Sequence, residues 1–260
     1  MTHTIHRFGK TEDLEYDYSI IFISARNFYR QGSQPKIRRF LEVAKKHHAV
    51  NFGNMEAGSV LVIGPEKVIE AVKDGTTVQA VFSSQEDVVN ILSDLVKEDL
   101  GLSVVVQGLE HRVRECCAKT NLKPHTWNHS LGIWGRTELL SEPDVLEVTT
   151  MCGHGLVAVS LVKKIFEDVR NGKTTLKKAA QKLAKPCICG MINPVRLERL
   201  LESSHPQAVY DALDRLNQTD GEAYGALIEA VQEPAETVSA EGDGQPWAPP
   251  LLAAPLVGWT

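Results

Sequence analysis

Between Tyr18 and Cys117 the chain alternates two kinds of apolar run. One kind is short and continuous: YSIIFIS at 18–24, SVLVIG at 59–64, TVQAVFS at 77–83 and LSVVVQG at 102–108. Runs of that length, rich in β-branched residues, read as strands. The other kind is spaced. Ile37, Phe40, Leu41 and Ala44 share one face of a helix over 34–48. A second helix runs from Pro65 in its first turn to Gly75 beyond its end, and a third from a Ser83 or Ser84 cap to Gly101. A fourth covers LEHRVRECCAKTN, 109–121. Strands that are apolar throughout are covered on both faces. Their alternation with helices predicts an α/β fold with a mixed or largely parallel sheet layered by helices.

The irregular passage LKPHTWNHSLGIWGRTELLSEPD, 122–144, leads to VLEVTT, whose β-branched residues predict a strand over Val145–Thr149. Beyond it the pattern is helical, over 156–171, 175–184, 194–203, 206–217 and 221–231. Thr174 or Thr175 caps the second of these, and Asn193 followed by Pro194 caps the third. From Glu233 the chain is rich in proline and glycine without periodicity, the composition of a disordered tail. The expected organisation is therefore an α/β domain at 1–148, a helical metal-binding segment at 149–231 packed on the sheet edge, and a tail at 232–260.

Composition narrows the function classes. The 260 residues suffice for a sizeable core, and 43% hydrophobic with 23% charged residues is ordinary for a globular chain. A net charge of -5 gives no electrostatic reason to expect nucleic acid. No apolar run approaches the roughly 20 residues that span a bilayer, and the N-terminus lacks the apolar segment of a signal peptide. A cytoplasmic protein follows, with no nucleic-acid or membrane partner and homo-oligomerisation open. Its five cysteines are then thiols or metal ligands rather than disulfides.

Three of those cysteines carry the chemistry. Cys152, in TTMCGHGLVAVS, and Cys187 and Cys189, in KPCICGMINP, sit on glycine-bearing turns just before expected helices. Helix N-termini present unpaired N–H groups and the positive end of the dipole, which favour thiolate over thiol. Gly153, Gly155 and Gly190 let backbone N–H groups approach sulfur, the bonding that tunes iron–sulfur centres. Three thiolates leave one position of a [4Fe-4S] cluster open. Closing the set with His154 instead gives a Cys3His zinc site, although zinc knuckles usually place two to four residues between paired cysteines and here there is one. Cys116 and Cys117, mid-helix, read as packing residues.

Around this set, His154 or His129 are candidate acid–base groups, since imidazole titrates near working pH. Asn128, Ser130 and Arg136 in the irregular passage, and Arg26 after the first strand, are candidate substrate contacts. His125 and His129 do not form a metal pair. On an extended strand they stand about 13 Å apart.

The three cysteines on turns resemble, in outline, enzymes that hold a four-iron cluster by three cysteines and present the fourth iron to substrate: hydro-lyases, quinolinate synthase and sulfur-removing desulfidases. The resemblance covers the cysteine count and turn settings. It implies a non-redox iron–sulfur lyase, dehydratase or desulfidase in which an open iron polarises a small polar substrate. The alternatives are a zinc-stabilised binding or accessory protein, or an iron–sulfur carrier or cofactor-maturation protein.

Overall fold

The computed structural model describes residues 6–25, 29–203 and 221, and the backbone of 252–257. A short helix α1 (Thr11–Leu14) precedes β1 (Tyr18–Ile23), α2 (Gln34–Lys46), β2 (Asn51–Asn54) and β3 (Gly58–Ser59). Next come α3 (Val60–Ile63), α4 (Pro65–Glu70), β4 (Val78–Phe82), α5 (Gln85–Glu98), β5 (Ser103–Leu109) and α6 (Glu110–Lys119). A short strand β6 (Thr126–His129) is followed by a helical series: α7 (Pro143–Thr149), α8 (Val159–Arg170), α9 (Leu176–Ala184) and α10 (Pro194–Ser203). The last described element is β7 (Leu252–Val257).

The seven described strands form one sheet in the order β3-β2-β4-β1-β5-β7-β6. The fold is α/β, but every described pairing is antiparallel, which corrects the expectation of a largely parallel sheet. The reason lies in the crossovers. β1 and β2 run the same way, yet β4 is inserted between them. β4 and β5 likewise share a direction with β1 between them. Each helical crossover thus skips a strand, the split β-α-β arrangement.

Strand periodicity then assigns two cores. Tyr18, Ile20 and Phe22 of β1 face the same side as Val78, Ala80 and Phe82 of β4 and Val104 and Val106 of β5. Helices α2, α4, α5 and α6 cover that side, with Phe22 stacked on Phe40 at 4.6 Å. Ile21, Val81 and Val105 point the other way, into α7 to α10 and their loops. Both faces are covered, so the strands are apolar throughout. The C-terminal helices lie on a face of the sheet, not on its edge as the sequence suggested.

Caps behave as expected at three helices. Ser84 Oγ accepts from the Glu86 and Asp87 amides, Thr175 Oγ1 from Lys178, and Asn193 Oδ1 from Val195 and Arg196. Other expectations change. Val145–Thr149 is helical, because Pro143 opens a helix whose Val145 and Val148 both reach the core. SVLVIG divides into the end of a hairpin, β3, and the short α3. Residues 252–257, expected in a disordered tail, form a strand between β5 and β6. The helices expected at 206–217 and, apart from Gly221, at 221–231 lie outside the described residues. Among the described residues no helix is long and apolar enough to cross a membrane.

Candidate metal centre

The chain brings the three turn cysteines together. Cys152 lies within the turn after α7, and Cys187 and Cys189 occupy the turn between α9 and α10. All three are buried, the last two completely. Cys187 Sγ lies 3.7 Å from Cys189 Sγ, and Cys189 Sγ lies 3.5 Å from His154 Nδ1. Cys152 and Cys187 lie close enough for each thiol to shift the ionisation of the other. The four side chains therefore make a continuous run, Cys152–Cys187–Cys189–His154. As it stands the run is open: among the described residues no group of three or more His, Cys, Asp or Glu side chains is arranged to hold a metal ion.

Backbone N–H groups converge on the sulfurs. The Leu156 and His154 amides favour the ionised form of Cys152, that of Ile192 favours it at Cys187, and those of Met191 and of Cys189 itself favour it at Cys189. Their effect on ionisation is uneven. Cys152 is pushed far up by the Cys187 thiol beside it and by burial, against which the two amides act only in part. For Cys187 the nearby Cys152 thiol favours thiolate, but its bond with Cys189, burial and the Cys189 charge outweigh that effect, raising the thiol to about 11. Cys189 is lowered, chiefly by its bond with Cys187 and then by the amides, although burial opposes ionisation. Of the three sulfurs, Cys189 is the one whose ionisation the turn eases.

The second turn is clamped to the sheet by side chains that grip its carbonyls. The Gln79 amide, turned so that its nitrogen faces them, donates to Gly53 O and Cys189 O at 3.0 Å. Asn51 Nδ2 donates to Ile192 O at 2.9 Å, and Arg7 donates to Met191 O. The last contact acts along one peptide. Arg7 holds the carbonyl of the Met191–Ile192 peptide, whose N–H points at Cys187 Sγ, and so polarises that donor. Gly190 lets the turn sit directly on β2. Its φ is +79°, and a Cβ there would lie 2.5 Å from the Phe52 carbonyl carbon.

Arg7 belongs to a buried ionic group. Asp17 bonds both Arg7 and Arg196, the second at 3.0 Å, and Asn193 Nδ2 reaches Asp17 Oδ1 at 3.2 Å and Tyr16 O at 2.9 Å. Arg196 also donates to Phe8 O at 2.7 Å. Burial opposes the Asp17 charge, yet the two guanidinium groups prevail and its pKa is lowered. These positioning residues were missed in the sequence. The one available signal was Asp17 abutting an uninterrupted apolar strand, where an unpaired charge would be costly.

The other sequence candidates lie elsewhere. His129 and Asn128 are on β6, five places along the sheet from the β2 backbone that supports Gly190, about 24 Å at the usual strand spacing. His129 Nδ1 is 3.4 Å from Glu110 Oε2. The structure thus does not bring His129 to the cysteines as an acid–base group. Ser130 Oγ bonds His6 Nδ1 at 3.1 Å, and Arg136 is an exposed residue paired with Glu138 at 2.8 Å. Neither joins the site. Arg26 lies outside the described residues. Cys116 and Cys117 are buried in the core on the opposite face of the sheet from Cys152, Cys187 and Cys189.

Comparison with protein families matches residues 191–260 to a family described as "Protein of unknown function (DUF2863)". The matched stretch begins two residues after Cys189 and includes Asn193, Arg196, α10 and β7. No curated protein and no solved structure matches the chain.

Proposed function

We propose that this chain is a metal–thiolate protein in which Cys152, Cys187, Cys189 and His154 hold one tetrahedral ion of the zinc class. The ion would tie the two loops of the C-terminal helical layer to each other and, through the clamped turn, to the sheet. The observation that carries this reading is the pair of separations, 3.7 Å between sulfurs and 3.5 Å between sulfur and nitrogen. An ion holding sulfur at about 2.3 Å and nitrogen at about 2.0–2.1 Å has tetrahedral edges of ~3.8 Å and ~3.6 Å. Closing the open run round such an ion requires the Cys152 and His154 ends to approach, while the Cys187–Cys189 edge already has the required length. Amide donors on all three sulfurs support the thiolate form that a metal needs.

The [4Fe-4S] cluster that three cysteines also allow places each sulfur on a separate iron. Sulfurs in mutual contact suit a single ion better, so the geometry favours zinc-class binding over the iron–sulfur lyase or carrier readings. Five cysteines that are all free suit a reducing compartment such as the cytoplasm.

Single substitutions test the ligand set. Cys152→Ser, Cys187→Ser and Cys189→Ser are each expected to weaken metal binding by more than about 100-fold, beyond the range of outer-sphere changes. Cys116→Ser and Cys117→Ser should leave metal content unchanged and alter only stability. Metal content of the purified full chain, measured beside its circular dichroism, decides. A folded Cys116 variant without metal, or a folded Cys187 variant with its full complement, would overturn the assignment.

A further inference from the structure

We propose that the cavity between α1, α7, α8 and α10 binds an organic amine, an ammonium head carried on an apolar body. The site stands apart from the metal centre, since no cysteine lines it. Its volume is about 660 Å³, within the usual range for small-molecule sites, and it lies between packed helices, where such sites commonly form. The lining divides by chemistry. Phe166 of α8 and Leu200 of α10, both buried, form an apolar floor. Asp13 of α1 and Asp144 and Glu147 of α7 bring carboxylates, with Glu12 beside them. Two cations, Lys10 and Arg170, answer these four carboxylates, so the lining keeps a net negative charge. Arg170 approaches Asp144 at 4.0 Å. Among the described residues, the Asp13 and Glu147 side chains have neither a hydrogen bond nor an ion pair.

Glu147 is the centre of this charge. It is half-buried, and burial raises its pKa; Arg196 and Lys10 oppose the rise, while Asp13 and Asp144 add to it. A bound cation gains these carboxylates as partners and relieves their mutual repulsion. The rest of the lining says which cation. A bare metal ion needs converging ligands, and among the described residues no group of three or more His, Cys, Asp or Glu side chains is arranged to hold one. A hydrated ion gains nothing from Phe166 and Leu200. An ammonium suits both parts of the cavity. Its three N–H donors reach carboxylates that stand apart from one another, and its carbon body covers the apolar floor, where each buried CH₂ adds affinity.

The experiment titrates the full chain with phenethylamine in a calorimeter, beside two analogues. Phenethyl alcohol keeps the apolar body without the charge, and ethylamine keeps the charge without the body. Phenethylamine should bind saturably, one per chain, and each analogue should bind at least about tenfold more weakly. Glu147→Gln should weaken phenethylamine by about tenfold and leave phenethyl alcohol unchanged, with the fold checked by circular dichroism. Asp13→Asn, on the facing helix, should act in the same direction. Absence of saturable binding would overturn the proposal. Equal binding of ethylamine would reduce the site to an acidic patch, and equal binding of phenethyl alcohol to an apolar cleft; either result overturns it. An amine affinity unchanged in both Glu147→Gln and Asp13→Asn would put the amine elsewhere on the chain and overturn it as well.

Discussion

Asp17→Ala is expected to destabilise the chain by about 3–5 kcal/mol, the usual cost of removing one partner from a buried ionic group. Both arginines it pairs are buried, Arg196 completely. Without the carboxylate, which sits just before β1, they would face each other with no counter-charge. Asp17→Asn should cost less, because the amide preserves part of the hydrogen bonding. Urea unfolding of the three proteins checks the order, and a loss below about 1 kcal/mol for alanine, within the worth of an exposed pair, would contradict it. The pH dependence has a definite sign. The folded-state pKa of Asp17 lies below its ordinary 3.8. Its contribution is therefore present above that value and is lost as pH falls through the lower, folded-state pKa. Acid should erase the difference between wild type and Asp17→Asn.

Gly190→Ala carries the second large effect. The new Cβ would stand 2.5 Å from the Phe52 carbonyl carbon and 2.7 Å from the Gly53 nitrogen, both backbone atoms that cannot turn aside. Either the Cys187–Cys189 turn lifts from β2 or the hairpin moves. A loss of about 3 kcal/mol is expected from this clash and the positive φ together. Lifting the turn would also break the Gln79 bond to Cys189 O, so metal affinity should fall with stability. Gly155→Ala is the control: it shares the positive φ but meets nothing within 4 Å, and should cost only about 1–2 kcal/mol. Equal effects at the two positions would show that the approach of the turn to β2 contributes nothing.

The two substitutions bracket what was legible in the sequence. The cysteine turns were visible because glycine, thiol and a following helix leave a local signature, and the caps at Ser84, Thr175 and Asn193 were visible for the same reason. Strand direction was not. Val104, Val105 and Val106 are apolar on consecutive positions because helices cover both faces, a condition that parallel and antiparallel sheets can both meet. Val145–Thr149 misled through its β-branched residues, while Val145 and Val148 in fact keep helical spacing from Pro143 onward. β7 escaped notice because Pro255 and a short apolar run resemble a tail until β5 and β6 are present on either side. The Arg7–Asp17–Arg196 group joins residues up to 189 positions apart (7 to 196), and no local pattern announces such a contact.

The single-ion reading meets its most direct test in X-ray absorption at the metal edge of the full chain as purified under reducing conditions. The account predicts one metal per chain, with three sulfur neighbours at about 2.3 Å, one nitrogen at about 2.0–2.1 Å and no metal–metal scattering. Iron accompanied by acid-labile sulfide and iron–iron scattering would contradict it in favour of a cluster. A folded chain with no metal edge at all would leave the three cysteines as buried thiols.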